Sequence, residues 1–184
     1  MSLSARLHLP ARTGDAEVLE LEVADGAVAD IPSTAVAALT SRRDGRDRIR
    51  LDGRRIDRRG TAGRVRAGLA LVTDAVVAPD VAVLDHLAAG TGRRRAARLL
   101  ASSPLLRGRG ADAAGVLSGG ERRVLAVLRA VATDPRAVVL DAAGEGLDPA
   151  GLAWVAAEVA RWRAGGVAVL LRPGRPEERA WLET

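Results

Sequence analysis

Apolar and polar residues alternate with a period of two near the start of the chain and later give way to longer apolar runs. Residues 6–9 and 18–23 alternate like half-buried strands, and 48–56 indicates a hairpin that turns at Asp52-Gly53. Strands buried on both faces are predicted by three apolar runs, which lie at 68–73, 137–140 and 167–171. The chain is therefore expected to contain a parallel sheet.

Helices are predicted between these strands, where apolar residues recur three and four positions apart. In 121–133, Val124, Leu128 and Val131 fall on one face, whereas Arg122 and Arg129 can lie away from it. The other predicted helices are 32–42, 83–89, 94–101 and 150–163, with a glycine- and arginine-rich loop at 105–115. Strands that alternate with helices predict an α/β fold, in which ligands lie at the carboxyl ends of the strands.

Composition excludes several kinds of chemistry. The chain has no cysteine, so it forms no disulfide and no thiolate site, and its two histidines, His8 and His86, are isolated. All 28 basic side chains are arginine, so no mechanism that needs a lysine is available. No signal-peptide core is present, and no apolar run approaches the ~20 residues that span a bilayer. We therefore expect a cytoplasmic protein of one domain.

A net charge of +5 raises the question of nucleic-acid binding. Arginines crowd the segment 42–66, but Asp44, Asp47, Asp52 and Asp57 are interleaved with them, and no aromatic residue there offers a stacking platform. This pattern favours a solvated face with many ion pairs over a nucleic-acid groove, so no nucleic-acid partner is predicted.

A five-residue motif carries the first chemical signal: Leu117, Ser118, Gly119, Gly120 and Glu121. Serine followed three residues later by glutamate is a capping box, which by itself predicts only the start of a helix. The two glycines also let a partner approach the backbone, and the free N–H groups of a helix start favour an anion.

Downstream motifs extend this signal at a fixed spacing. Val138-Val139-Leu140-Asp141 follows, and then Gly146-Leu147-Asp148-Pro149. Together with 117–121 they resemble, without a gap, the signature motif, Walker B strand and D-loop of ABC transporter ATP-binding subunits. Residues 68–87 are similar to the strand and Q-loop of branched-chain amino-acid importer subunits. The resemblance implies a P-loop NTPase-like ABC ATPase domain over 1–184, with a helical subdomain at approximately 85–118.

Several residues that the family uses on its own nucleotide are missing. Asp141 matches the Walker B aspartate, which would make it a weak Mg²⁺ ligand. Ala142 stands at the position of the catalytic glutamate, and Asp74 replaces the Q-loop glutamine. The switch histidine falls near Gly174, and the chain has no histidine beyond His86. The resemblance therefore assigns no catalytic residue to this chain.

The phosphate loop departs furthest from the family, and two alignments are open. Ser33 and Thr34 match the end of the Walker A motif. Without a gap, Gly26 matches the first glycine and Pro32 replaces the lysine; with a gap, 25–31 is the preceding strand and most of the loop is deleted. We favour the gap because 27–31 has the pattern of a strand. Either alignment removes the lysine and the phosphate cradle, so ATP binding in the chain's own pocket is doubtful.

In the family, each ATP lies between the Walker A motif of one subunit and the signature motif of the other. Here the residues of the chain's own pocket are lost, whereas Ser118, Gly119, Gly120 and Asp148 remain. The resemblance therefore implies a degenerate subunit of a heterodimer. It would supply LSGG to the ATP and Mg²⁺ of a competent ATPase subunit and drive a permease at the inner face of the cell membrane. Two alternatives are a non-catalytic scaffold or regulatory protein that kept the fold, and a slow ATPase with an unorthodox pocket.

Overall fold

Two four-stranded sheets form the frame of the molecule in a computed structural model that describes residues 2–9, 17–40, 46–73 and 77–183. The first sheet is antiparallel, in the order β2-β1-β4-β5. Its strands are β1 (Leu3–Leu9), β2 (Glu17–Val23), β4 (Arg48–Leu51) and β5 (Arg54–Arg55). Asp52 and Gly53 both have positive φ, which is the two-residue turn that a tight hairpin requires. The predicted early strands and the hairpin are confirmed.

The second sheet is parallel, in the order β3-β8-β7-β6. Its strands are β3 (Val28–Asp30), β6 (Leu69–Val72), β7 (Ala137–Asp141) and β8 (Ala168–Arg172). Successive side chains of β7 enter different cores: Val138 and Leu140 pack on one face, and Ala137 and Val139 pack on the other. Burial on both faces explains the continuous apolar runs, so the predicted parallel sheet is confirmed.

Helices cover both faces of the parallel sheet. On one face, α3, α5 and α6 contribute to a core with β6, β7 and β8, and on the other face α1 packs together with the antiparallel sheet. The helices are α1 (Ser33–Thr40), α2 (Thr61–Arg66), α3 (Val83–Thr91), α4 (Arg93–Ser102), α5 (Gly119–Ala132), α6 (Pro149–Ala164) and α7 (Ala180–Glu183). Short 3-10 turns lie at Ala114–Val116 and Pro176–Arg179. The α3–α4 pair lies within the range predicted for a helical subdomain, and that division stays a prediction.

The arginine-rich segment differs from its sequence prediction at two charged residues, Asp47 and Arg64, which are both buried. Arg64 lies on α2, a six-residue helix that the periodicity did not predict, and its side chain is buried with 1% exposure. Its guanidinium donates to the carbonyl oxygens of Ala38 and Leu39 at the end of α1, at 2.9 and 2.6 Å. The expectation of a solvated face is wrong here, because these carbonyls need a donor that the helix cannot supply. Residues 42–45 lie outside the described residues.

Candidate functional site

The five-residue motif forms the start of α5 and closes a capping box. The hydroxyl of Ser118 accepts from the backbone N–H of Glu121 at 3.2 Å, and the Glu121 carboxylate accepts from the N–H of Ser118 at 2.8 Å. This backbone donor and the Arg109 guanidinium hold the pKa of Glu121 below its usual range. The carboxylate is therefore committed to the loop's own structure, and Leu117 anchors the motif in the core at 3% exposure.

The loop before α6 packs directly on this motif. Asp148 caps α6 by accepting from the N–H of Gly151 at 2.7 Å, and Leu147 is buried. A Cβ on residue 120 would lie 3.0 Å from the carbonyl oxygen of Gly146, so Gly120 lets the two loops pack closely. A cavity of about 230 Å³ opens between the two loops; it is lined by Leu105, Ser118, Gly120, Glu121, Gly146, Leu147 and Asp148. The structure brings the predicted signature and D-loop residues together.

The connection from β3 to α1 lies at the carboxyl edge of the parallel sheet and is very short. β3 ends at Asp30 and α1 begins at Ser33, so only Ile31 and Pro32 separate the strand from the helix. Ile31 is buried and its N–H donates to the carbonyl of Leu171 at 2.9 Å, so this residue continues the strand. Pro32 has no N–H to offer. A two-residue connection cannot wrap a phosphate with several backbone N–H groups.

Gly26 lies at the opposite end of β3 from this connection. It has φ of +68°, and a Cβ there would lie 2.6 Å from the carbonyl oxygen of Arg163, which explains the glycine. The structure therefore corrects the ungapped alignment: Gly26 belongs to the turn before β3 and not to a phosphate loop. The favoured alignment predicted 25–31 as the preceding strand, and the observed β3 covers Val28–Asp30 of that range. The deletion of the loop stays a prediction.

Arginines pair with two acidic side chains at the carboxyl edge of the parallel sheet, Asp141 and Asp30. Asp141 ends β7 and forms an ion pair with Arg172, its register partner on β8. Asp30 ends β3 and accepts from Arg179 at 3.4 Å. Within the described ranges, no three carboxylate or imidazole side chains gather as a metal site would require. The guanidinium of Arg172 therefore takes the place beside the Asp141 carboxylate that a metal cation would otherwise take.

Comparisons with known proteins concern the fold. No family model matches the chain. A nucleotide-free ATP-binding cassette from an ABC transporter superposes with a TM-score of 0.74, 18% identity and coverage of 96% of this chain and 83% of that one. A bacterial Atm1-family ABC exporter with ATP bound gives a TM-score of 0.72 and 23% identity over 97% of this chain and 35% of the exporter.

The chain has the ATP-binding cassette fold. A sequence match points the same way: an uncharacterised ABC transporter ATP-binding protein of Rhizobium meliloti is 46% identical over 55 residues. That segment is 30% of this chain and 20% of the relative, so the chain matches about a fifth of the relative's length. No helix in the described part of the cassette combines the length and the apolarity that a membrane crossing needs.

The position that the resemblance assigns to the catalytic glutamate is tightly enclosed in this cassette. Ala142 is 2% exposed, has φ of +50°, and donates its N–H to the carbonyl of Arg172 at 2.9 Å. A Cβ on Gly174, near which the switch histidine was expected, would lie 2.5 Å from the Cβ of Ala142. Larger side chains at these two positions would collide. Glu145 is exposed and lies 3.9 Å from the guanidinium of Arg123.

Other predicted residues contribute less. Asp74, predicted at the Q-loop, lies outside the described residues. Ser33 and Thr34 begin α1 beside the shortened connection, and His86 is buried, with its Nε2 2.9 Å from the carbonyl oxygen of Ala78.

Sequence reasoning missed the residues that close the carboxyl edge. Arg172, Arg179 and Glu178 come from β8 and the C-terminal segment, and none lies in a recognisable motif. Glu178 is fully buried beside Gly144 and Gly174, and burial raises the pKa of its carboxyl. The signal that could have found Arg172 is the register: once β7 and β8 are paired, Asp141 faces Arg172.

Proposed function

We propose that this chain is a degenerate ATP-binding subunit of an ABC transporter. It pairs with a second, competent ATPase subunit and contributes its signature motif to the ATP of that partner. The pair drives a membrane permease from the cytoplasmic face. ATP and Mg²⁺ act at the composite site, bound mainly by the partner's residues.

The observation that carries the proposal is a contrast between two parts of the same edge. The connection between β3 and α1 contains only Ile31 and Pro32. The loops of Ser118 and Asp148, in contrast, are both capped and line a cavity between them. A chain that bound ATP in its own pocket would need a longer phosphate loop between β3 and α1. A chain that completes a partner's site needs only the loops of Ser118 and Asp148.

Gly119 supports an external role for the signature loop. A Cβ at this position would meet no atom within 4 Å, and its φ lies outside the left-handed region. The chain's own fold therefore does not require a glycine there. Space left open at a helix start, beside the N–H groups of its first turn, suits an anion brought by another molecule.

The chain's own residues do not fit a nucleotide with its metal. Asp141, the predicted weak Mg²⁺ ligand, is paired with Arg172. Ala142 can neither orient water nor accept a proton. This chain therefore supplies no catalytic residue, and its contribution is to bind and orient the phosphates of the partner's ATP.

The first experiment identifies the partner. The tagged protein is captured from its native host in mild detergent, and the retained proteins are identified by mass spectrometry. Recovery of an ATPase subunit with an intact Walker A motif, together with a permease, is the expected result. Recovery of neither would favour the alternative, a scaffold that kept the fold without the nucleotide.

The second experiment tests the signature loop in the recovered complex. Gly119→Arg should lower the ATPase rate of the complex by about tenfold or more, because an arginine would occupy the space meant for the phosphates. Gly60→Arg is the matched control, since a Cβ at Gly60 also meets no atom within 4 Å. It should leave the rate within about twofold. An undiminished rate in Gly119→Arg, or an equal loss in both variants, would contradict the proposal.

A further inference from the structure

A second cavity, of about 480 Å³, lies at the opposite end of the parallel sheet from the signature loop. Its wall includes Gly68 and Arg136, which directly precede β6 and β7, whereas Asp141 ends β7 at the carboxyl edge. The volume is within the range of small-molecule sites. This cavity is therefore separate from the site of the proposed function.

The rim of this cavity carries positive charge that the described residues do not neutralise. Arg54, Arg59 and Arg66 line it, and none of the three side chains forms an ion pair or hydrogen bond with a residue in the described ranges. The acidic groups nearby are already engaged. Asp134, which itself lines the cavity, pairs with Arg95, and this lowers the pKa of Asp134. Asp52 accepts from Arg136 at 2.9 Å. An arriving anion would therefore meet three guanidinium groups that have no described competitor.

The floor of the cavity is apolar and continues into a smaller lobe. Leu51 and Ile56, both 2% exposed, form part of the floor. A neighbouring cavity of about 200 Å³ shares Val65, Ala89, Gly90 and Thr133 with it. It is lined further by Ala70, Leu71 and Ala130, and its remaining lining residues are Thr61, His86 and Arg129, so this lobe is mainly but not wholly apolar. A polar end with arginines beside an apolar end suits a ligand with an anionic group and an apolar body.

We propose that this two-lobed cavity binds a phosphate-bearing small molecule. The planar guanidinium of arginine matches two phosphate oxygens with two parallel N–H donors, and it keeps its charge at every physiological pH. Arg54, Arg59 and Arg66 hold the phosphate groups, and the smaller lobe holds the apolar part. The concave shape favours a small ligand over an extended protein segment, which needs a longer surface.

The test uses inorganic pyrophosphate as the probe and isothermal titration calorimetry as the readout. The unchanged protein should bind it saturably, with a dissociation constant below about 1 mM. The double variant R54Q/R66Q should bind at least about tenfold more weakly. R94Q/R98Q removes the same charge from α4, where both arginines are exposed, and should stay within about twofold.

Two results would overturn the assignment. Absence of saturable binding up to about 5 mM would do so, as would an equal loss in both double variants, which would reflect net charge alone. Competition by a hexaglutamate peptide at lower concentrations than pyrophosphate would instead assign the surface to a protein partner. Circular dichroism and thermal unfolding of each variant verify that it is folded, and the single variant R59Q repeats the test with a smaller change.

Discussion

Replacing Arg64 by leucine is expected to lower the free energy of unfolding by about 2 kcal/mol. The guanidinium donates to the carbonyl oxygens of Ala38 and Leu39, and also to those of Arg59 at 3.1 Å and Asp57 at 3.1 Å. Leucine fills the apolar part of the site but donates nothing. The bonds to Ala38 and Leu39 are buried, whereas those to Arg59 and Asp57 are partly exposed, so water can replace the donor there. Each buried carbonyl left without a donor costs at least about 1 kcal/mol, and the two buried carbonyls give the stated total.

The cost of burying the arginine itself limits this figure. Desolvation lowers the pKa of Arg64, against the opposing charges of Asp47 and Asp57. Some hydration energy of the cation is therefore lost on folding, and leucine does not lose it. For this reason we use the lower limit of about 1 kcal/mol for each carbonyl and not the upper one.

Urea unfolding followed by far-ultraviolet circular dichroism measures the change. The control is Arg58→Leu, because Arg58 is exposed and no interaction with a described residue is found for its side chain. That variant should change the free energy of unfolding by no more than about 0.5 kcal/mol. A loss below about 1 kcal/mol in Arg64→Leu, or an equal loss in the control, would refute the reasoning.

Two further predictions concern the carboxyl edge. Burial raises the pKa of Glu178, so its stabilising contribution is present in the protonated form and is lost as pH rises above the ordinary glutamate value of ~4.3. Glu178→Gln should therefore raise the free energy of unfolding by about 1 kcal/mol at pH ~7.5 and change it little at pH ~4. Urea titration at the two pH values measures this difference, and an equal effect at both would contradict the prediction. Arg172→Ala should free Asp141 to bind Mn²⁺ with a dissociation constant of about 1 mM, measured by electron paramagnetic resonance of the free ion. Adding Asp141→Asn should abolish that binding, and persistence of the binding would show that another group holds the ion.

Much of the fold could be predicted because hydrophobic burial leaves a periodic record in the sequence. β6, β7 and β8 are buried on both faces, so their sequences are continuously apolar, and the hairpin turn at Asp52-Gly53 is equally readable. The helix α2 left no such record, since it spans only six residues. Its structural role comes from the contacts of Arg64 with α1, which a local pattern cannot encode.

The candidate site divides in the same way. The signature motif and the D-loop each fold by capping between residues three positions apart, so the sequence alone predicted the local geometry of each loop. The ion pairs of Asp141 with Arg172 and of Asp30 with Arg179 join residues far apart in the chain. They depend on strand order and register, and only the structure supplies these.

The two ends of the parallel sheet therefore attract anions differently. At the carboxyl edge, Asp30 and Asp141 are each paired with an arginine, so little net field remains for a phosphate. At the amino edge, Arg54 and Arg66 have no described acidic partner. ATP added to the isolated chain is then expected to bind at the amino edge. ATP binding that is lost in R54Q/R66Q takes place at the amino edge and not in a nucleotide pocket of the cassette. ATP binding that persists in R54Q/R66Q but weakens in Gly119→Arg takes place at the signature loop.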